Sequence, residues 1–550
     1  MCRFIHQQTK AEKANQPREA KLEKQKVLLL GDEAIAQGAI DAGVSGFYAY
    51  PGTPSTEIME YAQRSREADE LGIHRQWSAN EKTAVEAALG MSYAGKRVIA
   101  CMKHVGLNVA ADAFVNSGIT GANGGLIVVS ADDPSMHSSQ NEQDSRFFGN
   151  FSLIPVLEPS SQQEAYDMMA YGMDYSEKYR IPLLMRITTR LAHSRSGVVK
   201  NKRRDQNEVH MPEDGRQFVL LPSISRKRYK VLLETQNSFL DESENSPFNS
   251  YTDGADKSIG IIACGIGYNY YMENYPQGSP HPVIKIGQYP LPEKMIKKMA
   301  AECDSILVVE EGMPVVEEKL RGFMDAPLKI KGRLDGTLPR DGELNPNILR
   351  IAMGMDDLTG EKTPEIVKPR PPVLCPGCPH IDTYKALGEA VKDVYGDGHV
   401  FSDIGCYTLG AYPPYEIINS CVDMGASVTM AKGAADAGIF PSIAVIGDST
   451  FTHSGMTGLL DAVIENTNMV LIILDNSTTA MTGGQKSHAY GRLHNICTGL
   501  GVAPEHVREV IPLPKNHNEL VKIIKEEVEY PGVSVIIPTR ECIQTIGKKK

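Results

Sequence analysis

Two polar residues that each follow a short apolar run mark where this chain is equipped for chemistry. The run 443–446 ends at Gly447-Asp448-Ser449, and a second run, 469–474, ends at Asp475-Asn476. Between them Leu459, Leu460, Val463 and Ile464 fall on one helical face, so 442–485 reads as strand, helix, strand. A right-handed crossover brings both strand ends to one carboxyl edge of a parallel sheet, where open α/β sheets take their ligands. The Asp448 carboxylate and the Asn476 amide oxygen are hard donors suited to Mg²⁺, which commonly shares its shell with phosphate oxygens. The glycines of Thr482-Gly483-Gly484 let backbone approach an anion closely. An ordinary crossover with polar loop ends would look the same locally.

Other polar groups also sit at predicted strand ends. Asn80 is placed to cap a helix that opens with Glu81, and Ala84, Ala87, Ala88 and Gly90 suit close packing against another element. Glu81 then lies in the first turn, where the helix dipole favours its anionic form; Glu86 is the second choice of carboxylate. After the strand 46–50, Pro51-Gly52-Thr53-Pro54-Ser55-Thr56 reads as a tight turn, with Thr53 a turn residue and Ser55 or Thr56 a cap. Lys103 to Asn108, including His104, reads as a polar, glycine-bearing loop. The stretch 131–146 reads as a long, chemically varied loop of the kind that forms lids or touches substrate. Gly405-Cys406-Tyr407 reads as a glycine turn after the strand 400–404. Cys375-Pro-Gly-Cys378-Pro-His380 invites a metal or redox reading, but no second Cys-x-x-Cys pair accompanies it, so local spacing does not indicate a closed four-thiolate zinc site.

The elements that must position these groups fall into an ordered plan. A length of 550 residues implies several domains, with apolar content of 41% and charged content of 23% in the ordinary globular range. A net charge of −11 argues against a nucleic-acid surface, and no apolar run approaches the length of a membrane span. Ten cysteines without compact disulfide spacing, and an amino terminus without an apolar core segment, fit a cytoplasmic protein. The expected plan is a mobile extension over 1–25 and a doubly wound α/β domain over 26–200, closed by a strand at 181–186 and a loop at 193–195. A charged linker with interdomain helices over 201–257 follows, then a smaller α/β domain over 258–365 with a structural or assembly role, and a second doubly wound domain over 366–550.

Several long strings in one collinear order from about residue 26 to about 540 resemble a known family. YPGTPSTEI, NEKTAVEAALG, MKHVGLNVAAD, ADDPSMHSSQNEQDSR, CPGCPH, IGDSTFTHSGMTGL and DNSTTAMTGGQ are similar to the large subunit of indolepyruvate:ferredoxin oxidoreductase, of the 2-oxoacid:ferredoxin oxidoreductase superfamily. The resemblance implies two thiamine-diphosphate-type domains, one holding the diphosphate through Mg²⁺ and one presenting a carboxylate to the aminopyrimidine ring. It implies oxidative decarboxylation of an aryl 2-oxoacid with coenzyme A to an acyl-CoA and CO₂, with electrons passing through iron–sulfur clusters to ferredoxin. Residue by residue, Glu81 matches the pyrimidine-activating glutamate and Thr53 the threonine near the substrate carbonyl. Asp448 and Asn476 match the metal ligands, with Thr478 adding its carbonyl. His380, Gly405, Cys406, Gly447 and Ser449 fall in segments that wrap the cofactor, and His104 and Asn108 in the loop near the reacting centre, where His104 steers the substrate carboxylate or moves a proton.

Family large subunits commonly continue into a segment with two four-cysteine cluster runs, each [4Fe–4S] cluster needing four thiolates. One Cys-x-x-Cys pair among ten cysteines does not supply those runs. The clusters are therefore expected on a partner, with a small oxidoreductase subunit, ferredoxin and an oligomeric assembly as further expectations. The competing reading is a non-oxidative thiamine-diphosphate decarboxylase or lyase, which needs no cluster.

Overall fold

The computed structural model describes residues 26–212, 215–323, 328–339, 342–358, 360, 363–368, 373–421 and 424–546. The extension over 1–25 lies outside the described residues. The fold is α/β, built on three main sheets.

The first sheet has seven strands, in the order Gln288–Tyr289, Val156–Leu157, Leu183–Thr188, Leu126–Asp132, Val98–Lys103, Gly46–Ala49 and His74–Trp77. Neighbours are parallel except for the edge pair of 288–289 with 156–157. The central strands 126–132 and 183–188 are buried along their whole length, which is why they are nearly unbroken apolar runs.

A five-stranded sheet follows, in the order Lys329–Lys331, Ser305–Val309, Gly260–Cys264, Val283–Ile286 and Ser250–Thr252. The third sheet has six parallel strands, Ser420–Cys421, Val400–Ser402, Ile443–Gly447, Met469–Leu474, Val533–Pro538 and Val507–Val510. Alternation along its strands sorts a continuous apolar sequence onto two faces. Ile443, Val445, Val470, Ile472 and Leu474 pack on one side, whereas Ala444, Ile446, Met469, Leu471 and Ile473 pack on the other.

The first two sheets are tied by buried charge. The Arg146 guanidinium bonds Asp144 within its own unit and reaches Glu310 Oε2 at 2.8 Å and the carbonyls of Glu311 and Met313 in the middle unit. Arg186 adds Asp132, Glu158 and the Glu311 carbonyl, both guanidinium groups being almost fully buried. Paired and hydrogen-bonded charges of this kind tolerate burial, whereas removing one partner strands the other at a cost of about 3–5 kcal/mol.

Four local readings are corrected. The polar loop expected over 103–108 is the start of the helix His104–Thr120, packed against the helix Glu81–Tyr93. The loop expected at 193–195 is instead the end of the helix Thr189–His193 and the start of the strand Arg195–Val199, which pairs antiparallel with Lys26–Leu30 away from the main sheet. The strand His74–Trp77 was missed because its sequence, HRQW, has no apolar run. Residues 250–252, expected in a linker, form an edge strand of the middle sheet, and the long helix Pro222–Glu244 precedes them.

Candidate active site

The strands Ile443–Gly447 and Met469–Leu474 are parallel neighbours with Gly447 opposite Leu474, so Asp448 and Asn476 leave the sheet at the same edge. The hydroxyls of Ser449 and Thr479, 2.9 Å apart, tie the two loops together. Gly405, Cys406, Gly447, Asp448, Ser449, Asn476 and Thr478 all line one cleft. A methyl group at Gly447 would sit 2.6 Å from the Tyr407 ring, so the close passage of that ring requires glycine there. Asp448 is buried and its Oδ2 has no hydrogen-bond partner. Burial and the neighbouring Asp475 carboxylate push its pKa up to about 7. An orphaned carboxylate oxygen beside the Asn476 amide and the Thr478 backbone fits a hard divalent cation with phosphate oxygens completing its shell.

The opposite wall comes from the first sheet of the same chain. Tyr50, Pro51, Gly52, Thr53, Glu81 and Lys103 line it. Asn80 caps the helix Glu81–Tyr93 by accepting from Thr83 N at 2.8 Å, which sets Glu81 in the first turn. Gly106 on the adjoining helix makes the room: a methyl there would lie 2.4 Å from Glu81 Oε1. The turn at Thr53 is fastened by Gly52 N donating to Thr56 Oγ1 and Ser55 Oγ donating to the Gly52 carbonyl, at 3.1 and 2.7 Å.

The two walls touch at His453. Its Nε2 lies 2.7 Å from Glu81 Oε2, its backbone carbonyl accepts from Asn80 Nδ2 at 2.9 Å, and its ring meets Tyr50 edge-on at 4.7 Å between centroids. His453 lies in a π-helical turn, Phe451–Gly455, between the helical segments Asp448–Thr450 and Met456–Ile464; such turns re-aim side chains and recur at functional sites. Sequence reasoning gave it no role, although it is the single imidazole between residues 442 and 485.

Lys103 is the second residue missed. It is the only cation lining the cleft among the described residues, and burial lowers its pKa to about 8 against the opposing pull of Asp133. Its ammonium donates to the Ser138 carbonyl at 2.9 Å, and Ser138 Oγ donates to the Thr53 carbonyl at 3.1 Å, so the 131–146 loop is joined to the Thr53 turn. The sequence signal was a lysine ending a buried strand, passed over for the histidine beside it.

Three expected residues do not line this cleft. His104 is buried, its ring nitrogens facing the carbonyls of Ala131 and Asn141 at 3.4 and 3.3 Å, because the first residue of a helix packed under the loop points inward. Asn108 is exposed, donates to Gln143 and borders a neighbouring hollow on the far side of Glu81. His380 is buried against Cys406 Sγ and Asn476 Nδ2 at 3.3 and 3.4 Å, and burial followed by the charge of Arg540 lowers its pKa to about 4, so it is a neutral ring that supports the wall.

Cys406 carries a further feature. Burial, and then Cys378, Cys542, Asp448 and Cys375 in turn, push its thiol up to about 12; burial, Cys375 and Cys542 also act to raise Cys378, which stands at about 11. The thiols of Cys375, Cys378 and Cys542 thus lie near enough to Cys406 to act on it electrostatically. Four thiols are the donor set that an iron–sulfur cluster needs, and Cys406 is the one of these that lines the cleft.

A cleft shared by two facing α/β domains, one with an orphaned carboxylate oxygen at its strand edge and one with an inward carboxylate, fits a thiamine-diphosphate-type enzyme. Comparisons with known proteins agree. The family model "Pyruvate flavodoxin/ferredoxin oxidoreductase, thiamine diP-bdg" matches residues 37–228, and "Thiamine pyrophosphate enzyme, C-terminal TPP binding domain" matches residues 403–537. The indolepyruvate oxidoreductase subunit IorA of Archaeoglobus fulgidus is 40% identical over 94% of this chain and 87% of its own length. The IorA subunit of Pyrococcus abyssi is 38% identical over 94% and 86%. A solved 2-oxoglutarate:ferredoxin oxidoreductase from Magnetococcus marinus shares the fold, with a TM-score of 0.50 and 17% identity over 60% of this chain and 65% of that one. The chain belongs to the IorA family, the thiamine-diphosphate-dependent catalytic subunits of 2-oxoacid:ferredoxin oxidoreductases.

Proposed function

We propose that this chain catalyses oxidative decarboxylation of an aryl 2-oxoacid of the indolepyruvate class. One 2-oxoacid anion and one coenzyme A thiol yield an acyl-CoA, CO₂, a proton and two electrons. The observation that carries the reading is the meeting of Glu81 with the Asp448–Asn476 edge across one cleft, and the IorA relatives support the substrate class. When bound, thiamine diphosphate supplies the acidic thiazolium carbon that adds to a 2-oxoacid carbonyl and takes up the electrons left by CO₂.

Asp448, Asn476 and the Thr478 carbonyl would hold Mg²⁺, which when bound would supply positive charge to the diphosphate, with Gly405, Cys406, Gly447 and Ser449 forming the wall. Glu81 holds the proton shared with the aminopyrimidine, a task suited to a carboxylate shielded from water. His453 fixes the Glu81 carboxylate by its 2.7 Å contact and acts as a positioning residue. Thr53 lies at the substrate carbonyl. Lys103 takes the carboxylate-anchoring role expected of His104, since an ammonium in the cleft pairs with an incoming anion.

Cys375, Cys378, Cys406 and Cys542 would hold a [4Fe–4S] cluster, which when bound would supply a one-electron carrier between the cleft and a cluster-bearing partner or ferredoxin. This reading adds a carrier on the chain to the clusters expected on a partner, and the influence of Cys375, Cys378 and Cys542 on the buried Cys406 thiol supports it.

The test uses the chain assembled with its oxidoreductase partner, with thiamine diphosphate, Mg²⁺, indolepyruvate and a viologen acceptor, under anaerobic conditions. Coenzyme A-dependent acceptor reduction is expected; indoleacetaldehyde release without it would favour the non-oxidative reaction. Cys542→Ser should lower bound iron by about four atoms per chain and slow acceptor reduction while indolepyruvate-dependent CO₂ release persists. Unchanged iron in that variant would remove the cluster from this account.

A further inference from the structure

Behind the Thr53 turn lies a group of side chains that decarboxylation does not use. Asp32 stands in the first turn of the helix Gly31–Asp41, Glu57 in the first turn of Thr56–Arg64, and His193 ends the helix Thr189–His193. One ligand atom from each lies within 4.8 Å of the other two. Asp32 is fully buried, and neither of its carboxylate oxygens has a hydrogen-bond partner. Glu57 Oε2 is likewise buried without a hydrogen bond, 3.6 Å from His193 Nε2.

Buried carboxylate oxygens are nearly always satisfied; Glu57 Oε2 has the His193 imidazole beside it, but the two orphaned oxygens of Asp32 call for a missing positive partner. The surrounding charge points the same way. Glu33 adds to the negative field at Asp32, Asp133 adds to it at His193, and Arg64 opposes it weakly at Glu57. His193 can balance at most one of the two carboxylates.

We propose that Asp32, Glu57 and His193 form a binding site for a divalent transition ion of the Mn²⁺ or Zn²⁺ type. Two carboxylates and one imidazole are a mixed oxygen and nitrogen set, which suits these ions better than the all-oxygen shells of Ca²⁺ or Mg²⁺. Three protein ligands leave positions for water, and the exposed His193 marks the solvent side. The ion joins the starts of two helices to the end of a third. Because Glu57 follows Thr53 closely on the same turn and helix, the ion braces the wall of the cleft from behind. Its role is structural, and none of its ligands lines the cleft.

The experiment is a titration of the full chain, freed of thiamine diphosphate, with Mn²⁺, the free ion being counted by electron paramagnetic resonance. The unmodified chain is expected to bind one tight Mn²⁺ and to unfold at a higher temperature when it does. His193→Ala, a change at an exposed position, and Asp32→Asn should each weaken that binding at least tenfold and abolish the thermal shift. Asp448→Asn should leave both intact, which separates this ion from the Mg²⁺ of the cleft. Asp32→Asn should also be no less stable than the unmodified chain without metal, since it removes an unpartnered buried acid. Equal Mn²⁺ binding by the unmodified chain and His193→Ala, or no binding by the unmodified chain in the millimolar range, would overturn the proposal.

Discussion

Replacing Glu81 by alanine is expected to cut turnover by about 10²–10⁴-fold, the usual worth of a positioned proton-transfer group. The same variant should keep Mg²⁺-dependent thiamine diphosphate affinity within a few-fold, because the diphosphate edge lies on the other domain. The discriminating readout is exchange of the bound cofactor's C2 proton with deuterated solvent, which should slow in step with turnover. Glu81→Gln should behave similarly despite its matched shape, since an amide cannot share a proton as a carboxyl does. His453→Gln keeps a polar contact to Glu81 and should lose much less. Trp77, the single tryptophan, ends the strand just before Asn80 and offers a fluorescence signal for binding. Unchanged proton exchange in Glu81→Ala would remove Glu81 from its role.

Asp448→Asn is expected to abolish metal-promoted cofactor binding. Changes to the outer shell of a metal site alone cost roughly 10–100-fold in affinity, so removing a charged direct ligand should cost at least about 100-fold. The sign of the pH dependence follows from the raised pKa. With its pKa pushed up to about 7, the Asp448 carboxyl keeps its proton below that pH and must release it to bind Mg²⁺. Affinity for the Mg²⁺–cofactor pair should therefore fall by up to about tenfold for each pH unit below about 7 in the native chain, and this dependence should vanish in Asp448→Asn. In the cofactor-free chain the substitution should not destabilise at pH 8, because it relieves an ionised buried acid whose Oδ2 has no hydrogen-bond partner. Calorimetric titration and unfolding at pH 6 and 8 read both outcomes.

The parts legible in the sequence were those governed by local pattern. The apolar runs 443–446 and 469–474, each closed by a polar pair, reported the strand–helix–strand unit because both strands are buried on two faces. Asn80 before an alanine-rich stretch reported the cap that sets Glu81. What failed depended on direction or on distant chain. His104 and Lys103 are neighbours, yet the strand's last side chain enters the cleft while the helix's first packs inward, and spacing alone does not distinguish them. His453 meets Glu81 only because a π-helical turn rotates it across the cleft. Cys406 and Cys542 look solitary along the chain, and their electrostatic influence on one another is not visible in the spacing. The strand His74–Trp77 lies at a sheet edge, where a polar sequence carries no burial signal.

The central claim is that one chain supplies both halves of its active site, Glu81 from one wall and Asp448 from the other. Glu81→Ala and Asp448→Asn chains, inactive alone, can be co-expressed with the partner subunit and assayed as mixed assemblies for coenzyme A-dependent oxidation of indolepyruvate. If both halves come from the same chain, every site in the mixture carries one defect and activity stays at the level of the single variants. Recovery of a substantial fraction of native activity, up to about a quarter for a site shared symmetrically between two chains, would contradict it.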